Sequence, residues 1–297
     1  MSYLRANPNM VPDLLSQIQG TRQQEDTATL QLATGSRINR PSDDPAGAAQ
    51  MISNRDATGQ VDSFLRSISS VNGLLQTTDS TLSSVVTALQ RAISLGVEGA
   101  NGTLSDPDRA AIAGELTSIR QQMMSLANTS YQGEFIFSGT ANAQPFVGDN
   151  ASPSAVTYQG NSGTNSVAVS KGYSLQVNLP GSQLFTAPGA DTFQALTDVI
   201  NALQTNSGVG SAVTELNTAY SHITAQRVFF GNAMNQLQSQ QSHLNSEKVN
   251  LSTAATSISG ADIAETATKL SQAELALNAE LAAMSKVSQT SLFDYLK

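Results

Sequence analysis

A heptad repeat over residues 61–92 is the feature that most constrains the fold of this chain. Apolar residues recur at every seventh position, and a second series follows three positions after each of them. The two series are Val61, Ile68, Leu75, Leu82 and Leu89, and Phe64, Val71, Thr78, Val85 and Ala92. This spacing predicts a helix ~50 Å long with a single apolar stripe. Such a stripe is buried only when other helices lie lengthwise along it.

The composition favours long, thin interfaces over a thick core. Hydrophobic residues make up 39% of the 297 residues and aromatic residues only 5%, and tryptophan is absent. Interfaces of leucine, isoleucine, valine and alanine between helices suit this composition. The length allows one large core or two or three modules.

Charge and cysteine content exclude several functions. The net charge is −8, and the basic residues are scattered singly apart from Arg37 and Arg40. Nucleic-acid binding requires a positive stripe, so we expect no nucleic-acid partner. The absence of cysteine excludes disulfides, thiolate zinc sites and thiol catalysis. Because no apolar run reaches ~18 residues and none follows a basic start, we expect neither a cleaved signal peptide nor a membrane partner.

Further helices follow on both sides of a less regular region. After a break at 101–108, where Ser105 is a cap and Pro107 fits the first turn, the second stripe is Ile112, Leu116, Ile119, Met123 and Leu126. Asp191 caps a short helix with Phe193, Leu196, Ile200 and Leu203, and a longer helix carries Leu216, Tyr220, Ile223, Phe230, Met234, Leu237, Leu244 and Leu251. Three polar residues interrupt the longer stripe, and these, Arg227, Gln241 and Lys248, are candidates for fixing its register.

Residues 131–190 predict a small inserted β domain. Glycine and proline recur throughout this segment, and its only charged residues are Glu134, Asp149 and Lys171. Short alternating runs lie between these breakers: EFIFS, AVTY, SVAVS and YSLQVNL. They are typical of strands joined by tight turns.

The two ends of the chain carry sparse apolar stripes that need a partner. The stripe residues are Leu14 and Ile18 near the start, and Ile263, Leu270, Leu277, Leu281 and Met284 near the end. Each end is the obvious partner of the other. We therefore predict a mainly α fold with an inserted β domain, in which both chain ends form a long antiparallel bundle or coiled coil. The predicted domains are 1–40 with 255–297, 41–130 with 191–254, and 131–190.

The residues offer little for catalysis. Acid–base or metal chemistry at Asp43 and Asp44 would need a second polar cluster, and none can be named. Asp44 followed by Pro45 also fits the start of a helix, as Gly35 fits the end of the preceding one. His222 and His243 lie about 30 Å apart along one helix and cannot share a metal. We predict no catalytic, cofactor-binding or metal-binding residues, and no enzymatic activity.

Residues 32–49, LATGSRINRPSDDPAGAA, resemble the hallmark segment near the N-terminus of the flagellin superfamily. The form Asn-Arg-Pro-Ser-Asp-Asp-Pro at 39–45 is more similar to the hook–filament junction members of that superfamily than to filament flagellins. Segments 101–116 and 126–146 are similar to the second inner helix of the junction proteins and its exit into the β domain. The ending SLFDYLK at 291–297 is similar to theirs as well.

The resemblance implies a structural subunit of the bacterial flagellum. Such a protein is extracellular, is exported unfolded through the flagellar type III apparatus, and forms a ring between hook and filament. Its implied partners are further copies of itself, hook-associated protein 1, flagellin, the filament cap protein and an export chaperone. A self-polymerising filament flagellin and an unrelated coiled-coil adaptor are the alternatives.

On this resemblance, the hallmark segment is the joint between the domain of the two chain ends (1–40 with 255–297) and the inner helical domain (41–130 with 191–254). We expect intersubunit contacts from Arg37, Asn39, Arg40, Asp43 and Asp44, because charges at a crowded subunit boundary can fix register. The alternative for Asp43 and Asp44 is helix capping and a turn without any partner contact.

Overall fold

The computed structural model describes residues 10–148 and 155–295, with side chains for 11–148 and 155–286. The chain forms two compact units, Met1–Gln60 with Glu247–Lys297, and Val61–Ser246. These bounds differ from the three predicted domains, because residues 131–190 belong to the same unit as the long helices around them. The finer division at residues 41, 131 and 191 stays a prediction.

The first unit contains both end helices. Helix α1 spans Met10–Thr34 and helix α7 spans Ile263–Tyr295, and α2, which begins at Pro45, and α6, which ends at Ser259, contribute their adjoining turns. Thr21 of α1 contacts Glu280 of α7, and Ser36, just after the end of α1, pairs with Gly260, just before the start of α7. The end helices are therefore antiparallel neighbours within one chain.

The seam between α1 and α7 follows a 3–4 spacing on each helix. It comprises Leu14, Ile18, Thr21, Glu25, Ala28 and Leu32 on α1, and Thr266, Leu270, Ala273, Leu277, Glu280 and Met284 on α7, all buried or half-buried. Ile18 is 6% exposed, and Ala28 and Ala273 are 5% exposed. Ile263 and Leu281, placed in this stripe by their hydrophobicity, are 53% and 42% exposed and lie outside the seam. At 3.6 residues per turn they project about 60° away from its centre.

In the second unit, two long helices bury matching heptad series. Helix α2 spans Pro45–Gly99 and helix α6 spans Val209–Ser259. The five residues of the first predicted series on α2, from Val61 to Leu89, are at most 3% exposed. In the second series Val71 is 7% exposed and Phe64 is half-buried. On α6 the buried series is Leu216, Ile223, Phe230, Leu237 and Leu244. The hydrogen bond from Gln90 to Tyr220 and the ion pair of Asp79 with Arg227 show that these helices run antiparallel.

Two shorter helices complete the helical part of this unit. Helix α3 spans Asp106–Ala127 and α5 spans Thr192–Thr205, and they pack against each other. Ser105 accepts a hydrogen bond from the Asp108 amide at the start of α3, and Asp191 accepts one from Gln194 at the start of α5, which confirms both predicted caps. The Arg120 guanidinium bridges the pair through Thr197 Oγ1 at 3.0 Å.

The inserted segment forms four antiparallel two-stranded ladders among the residues described. Their strands are β1 Ser130–Tyr131 with β2 Glu134–Phe135, β3 Phe146–Gly148 with β4 Val156–Tyr158, β5 Ser166–Ser170 with β6 Tyr173–Gln176, and β7 Thr186–Ala187 with β8 Ala190–Asp191. A one-turn helix, α4, spans Gly181–Leu184. Strand β2 is shorter than the predicted EFIFS run, because Phe137 leaves the ladder for an aromatic cluster with Phe146, Phe185 and Phe193.

Candidate assembly site

The hallmark segment forms a tight joint between α1 and α2. Gly35 ends α1 with φ +66°, a left-handed conformation that favours glycine, and its amide donates to Gln31 O at 2.8 Å. Asp44 caps α2, because its Oδ1 accepts a hydrogen bond from the Gly47 amide at 2.9 Å. Pro45 occupies the first helical position, where a missing amide hydrogen has no cost.

Hydrogen bonds connect the joint to the turn between α6 and α7. Arg37 N donates to Ser259 O at 2.6 Å, and Ala261 N donates to Gly35 O at 3.0 Å. The Arg37 guanidinium also donates to Ile258 O at 3.0 Å. Residues 35–37 therefore hold the end of α6 and the start of α7 close to the end of α1.

A second set of hydrogen bonds closes the turn within the segment. Asp43 Oδ2 accepts from the amides of Asn39 at 3.0 Å and Arg40 at 2.8 Å. Asn39 Nδ2 donates to Ser36 O at 2.7 Å. These bonds satisfy backbone groups that neither neighbouring helix can pair, so they give the turn one defined conformation.

Arg37 and Asp44 form the ion pair of the joint, with Nη2 2.9 Å from Oδ2. The Gly47 amide and then the Arg37 guanidinium stabilise the carboxylate form, so the pKa of Asp44 lies below its usual value. The two side chains are 50% and 26% exposed. Solvent therefore screens the attraction, and the pair contributes more to geometry than to stability.

The five predicted contact residues divide into two groups. Arg37, Asn39, Asp43 and Asp44 make hydrogen bonds within this chain, as the capping alternative requires. The Arg40 side chain is exposed and has no hydrogen bond or ion pair in the described part of the chain. An intersubunit contact stays a prediction for all five. Arg40 is the member whose charged side chain is available for such a contact.

Sequence reasoning missed the other half of the joint, residues 258–262. A Cβ on Gly260 would lie 2.4 Å from Thr256 O, so this position accepts only glycine. Asp262 caps α7 by accepting from the amides of Ala264 and Glu265. The signal was present, because Asp262 precedes Glu265 by three residues, the spacing of a capping box.

A cavity in the second unit contains few reactive groups. It measures about 530 Å³ and is lined by residues from α2, the β1–β2 turn and β5, among which only Tyr131 and Glu134 can titrate. Within residues 10–148 and 155–295, no three His, Asp or Glu side chains converge as metal ligands. Over the same residues, no helix has both the length and the apolar character needed to cross a bilayer.

Together, the paired end helices and the joint define a structural subunit whose two chain ends lie side by side. Two family models match the chain: the bacterial flagellin N-terminal helical region over residues 8–142 and the C-terminal helical region over residues 193–296. The chain belongs to the flagellin family.

Individual relatives come from two branches of that family. The chain is 35% identical over 159 residues to flagellar hook-associated protein 3 of Salmonella typhimurium, a match covering 53% of this chain and 49% of the relative. It is 27% identical over 266 residues to a flagellin of Listeria innocua, covering 87% and 86%. The chain thus spans about half the length of the first relative and most of the second.

A solved structure has the same fold. The flagellar junction protein FlgL of Legionella pneumophila superimposes with a TM-score of 0.61 at 16% identity, covering 71% of this chain and 100% of that chain. At this identity the similarity establishes the fold alone.

Proposed function

We propose that this chain is a hook-associated junction subunit, a hook-associated protein 3 (FlgL), which forms a ring between the flagellar hook and the filament. The similarity to hook-associated protein 3 of Salmonella typhimurium supports this proposal, as does the hallmark segment at 39–45.

The observation that carries the proposal is the apolar surface that remains outside the paired end helices. Val11 and Leu15 on α1 are 41% and 45% exposed, and Leu275 and Leu281 on α7 are 73% and 42% exposed. A free chain gains nothing from solvated leucines on both helices, whereas neighbouring subunits would bury them. The pair also leaves a groove of about 830 Å³, in which four small residues lie among longer polar ones; the small residues are Gly20, Ala28, Ala273 and Ala276, and the polar ones are Gln23, Gln24, Thr27, Gln31, Lys269 and Gln272.

The proposed partners follow from this role. Further copies of the chain complete the ring, hook-associated protein 1 lies on the hook side, and flagellin and the filament cap protein lie on the other. An export chaperone would cover the apolar ends before secretion through the type III apparatus. The proposed location is the extracellular part of the bacterial flagellum.

A self-polymerising filament flagellin is the second candidate. The flagellin of Listeria innocua matches 87% of this chain, and its own length is covered to 86%, so the two chains have similar extents. Flagellins and junction proteins share the paired end helices, and the outcome of assembly separates the two.

Electron microscopy of the purified protein with hook–basal bodies tests the proposal. A junction subunit adds a short zone to the end of hooks that already carry hook-associated protein 1 and does not polymerise alone from filament seeds. Long filaments grown from seeds of the protein alone would establish the flagellin candidate. Failure to bind any flagellar end would contradict both candidates.

Arg40→Ala tests the proposed intersubunit role of the hallmark segment. Because the Arg40 side chain has no partner in the described chain, we expect unchanged unfolding of the free protein and weaker addition to hooks. Asp43→Ala should lower the stability of the free protein, because two turn amides lose their acceptor. Arg66→Ala, an exposed arginine on α2, is the matched control. Normal assembly by Arg40→Ala would leave the segment with a structural role only.

A further inference from the structure

The hydrogen bond between Thr21 and Glu280 is the one polar contact across the seam of the end helices among the described residues. Thr21 Oγ1 donates to Glu280 Oε1 at 3.0 Å, and Thr21 is only 8% exposed. The second carboxylate oxygen, Oε2, is buried without a hydrogen-bond partner in the structure. A carboxylate in this position costs desolvation that an apolar residue would avoid.

The rest of the seam gives little information about alignment. Ala28 and Ala273 are small, and the remaining apolar members are leucine, isoleucine and methionine, which replace one another with little change of fit. The other two polar members are Thr266, whose hydroxyl donates to Asp262 O at the start of α7, and Glu25, which is half-buried. Because the seam repeats every seven residues, α7 could slide by one heptad, about 10 Å, and still bury an apolar stripe. Hydrophobic burial alone therefore does not select the observed register. The joint restrains it at one end, where residues 35–37 bond to residues 258–261, and the polar pair lies about four turns further along the helices.

The polar pair distinguishes the registers. A slip of seven residues in one direction would place Glu280 opposite Ala28, and a slip in the other direction would place it opposite Leu14. Neither side chain can donate a hydrogen bond, so the carboxylate would be enclosed with both oxygens unpaired. Removing the partner of a buried charge is strongly destabilising, whereas the intact pair adds little net stability.

We propose that the Thr21–Glu280 hydrogen bond fixes the register of the two end helices along the part of the seam that lies beyond the joint. The pair reduces the stability of the seam and in return excludes the slipped alignments. This role concerns pairing within one chain and is independent of the function proposed above.

Disulfide trapping in the full-length chain tests the proposal, because the natural sequence contains no cysteine. Ala28→Cys with Ala273→Cys reports the observed register, since each residue lies seven positions from the polar pair, in opposite directions along antiparallel helices. Ala28→Cys with Thr266→Cys reports a register slipped by one heptad. In the parent chain we expect the first disulfide to exceed the second by at least about tenfold.

Substitutions at the polar pair give the decisive comparison. With Glu280→Leu, no buried carboxylate opposes the slipped register and only the joint restrains it, so we expect the yield of the slipped disulfide to rise severalfold relative to that of the other. The thermal midpoint should be unchanged or higher. Glu280→Gln keeps an oxygen that accepts from Thr21 and should retain the parent's ratio. Thr21→Val should raise the slipped disulfide as Glu280→Leu does but lower the thermal midpoint, because the carboxylate is then unpaired in both registers.

Two results would overturn the proposal. A Glu280→Leu chain that is trapped in the observed register as selectively as the parent would show that apolar packing sets the alignment. A parent chain that forms no Ala28–Ala273 disulfide would show that the seam itself is aligned differently. A lower thermal midpoint for Glu280→Leu with an unchanged disulfide ratio would assign the hydrogen bond to stability alone.

Discussion

Asp79 on α2 and Arg227 on α6 form a two-bonded ion pair, in which Nε donates to Oδ1 at 2.6 Å and Nη2 donates to Oδ2 at 2.9 Å. The side chains are 30% and 34% exposed. The Arg227 hydrogen bond stabilises the Asp79 carboxylate, which lowers the pKa of Asp79 despite its partial burial. The flat, forked geometry of arginine fits one orientation of the carboxylate, so this pair aligns two helices whose apolar series repeat every seven residues.

Removal of this pair should have a moderate effect on stability. We expect Arg227→Ala to lower the free energy of unfolding by about 1 kcal/mol, because a partly solvated pair is screened but has two good hydrogen bonds. The matched control is Arg91→Ala, whose pair with Glu115 is 58% and 45% exposed and should contribute less than ~0.5 kcal/mol. Urea unfolding of both variants measures the difference. Equal losses of stability in the two variants would show that the two-bonded geometry of the Asp79–Arg227 pair adds no stability.

The aromatic cluster should be the most sensitive part of the inserted segment. Phe146 is fully buried, and its ring centroid lies 5.1 Å from that of Tyr158, 5.3 Å from Phe193 and 5.5 Å from Phe185. We expect Phe146→Ala to cost ~3–5 kcal/mol, because a large cavity forms where three rings meet. Phe146→Leu should cost about 1–2 kcal/mol.

The neighbouring residue provides the control for this measurement. Val147 is 38% exposed on the same short strand, and Val147→Ala should change stability by less than ~0.5 kcal/mol. Calorimetric or urea unfolding of the three variants measures their loss of stability. The comparison distinguishes an effect of burying the Phe146 ring from an effect of any substitution in this strand. A loss below about 1 kcal/mol for Phe146→Ala would show that the cluster does not support the unit.

Gly73 on α2 lies against the Tyr131 side chain, which leaves no room for a Cβ. A Cβ at residue 73 would be 2.4 Å from the Tyr131 hydroxyl oxygen and 3.4 Å from Cζ, so the clash involves the hydroxyl. We expect Gly73→Ala to destabilise the parent by about 1 kcal/mol. In a Tyr131→Phe background the same substitution should stabilise by about 0.5–1 kcal/mol, because alanine is favoured over glycine inside a helix.

Gly59, also within α2, supplies the reference value for helix propensity. Nothing lies within 4 Å of a Cβ at residue 59, so Gly59→Ala should stabilise the parent and the Tyr131→Phe variant equally, by about 0.5–1 kcal/mol. Thermal unfolding of the four combinations measures the coupling. If Gly73→Ala has the same effect in both backgrounds, the hydroxyl is not the cause.

The long helices could be predicted from sequence because their signal is periodic and repeated. Residues 61–92 contain more than four heptads, and the buried positions of α2 follow them closely. The end helices could be predicted as partners, but their seam could not be located by hydrophobicity alone. Thr266, Ala273 and Glu280 belong to it, whereas the apolar residues Ile263 and Leu281 lie outside it. Glu280 can occupy the seam because the Thr21 hydroxyl donates to it, and Thr266 can because its hydroxyl donates to Asp262 O at the start of α7.

The candidate site could be predicted only in its local half. The caps at Gly35 and Asp44 depend on neighbours within a few residues, so the sequence signals them directly. The bonds from residues 35–37 to residues 258–261 join segments more than 200 positions apart, and no pattern within one sequence encodes such pairing. The sequence showed a cap at Asp262 only through its spacing to Glu265.

The pH response of the joint follows from the lowered pKa of Asp44. The folded carboxylate, stabilised first by the Gly47 amide and then by Arg37, has a pKa below its ordinary 3.8. Its contribution to stability is therefore present above that ordinary value and is lost as the pH falls through the lowered one. We expect the hydrogen-exchange protection of the Gly47 amide, normalised to intrinsic rates, to decrease as the pH falls below the ordinary value of 3.8 and through the lowered pKa. In Asp44→Asn the amide oxygen still caps α2 but carries no charge, so the protection of Gly47 should stay constant over this range.

The cap of α3 at Ser105, which has a neutral hydroxyl, serves as the internal control through the Asp108 amide. A parallel decrease at Gly47 in parent and Asp44→Asn would show that the acid response of the joint arises from a group other than this carboxylate.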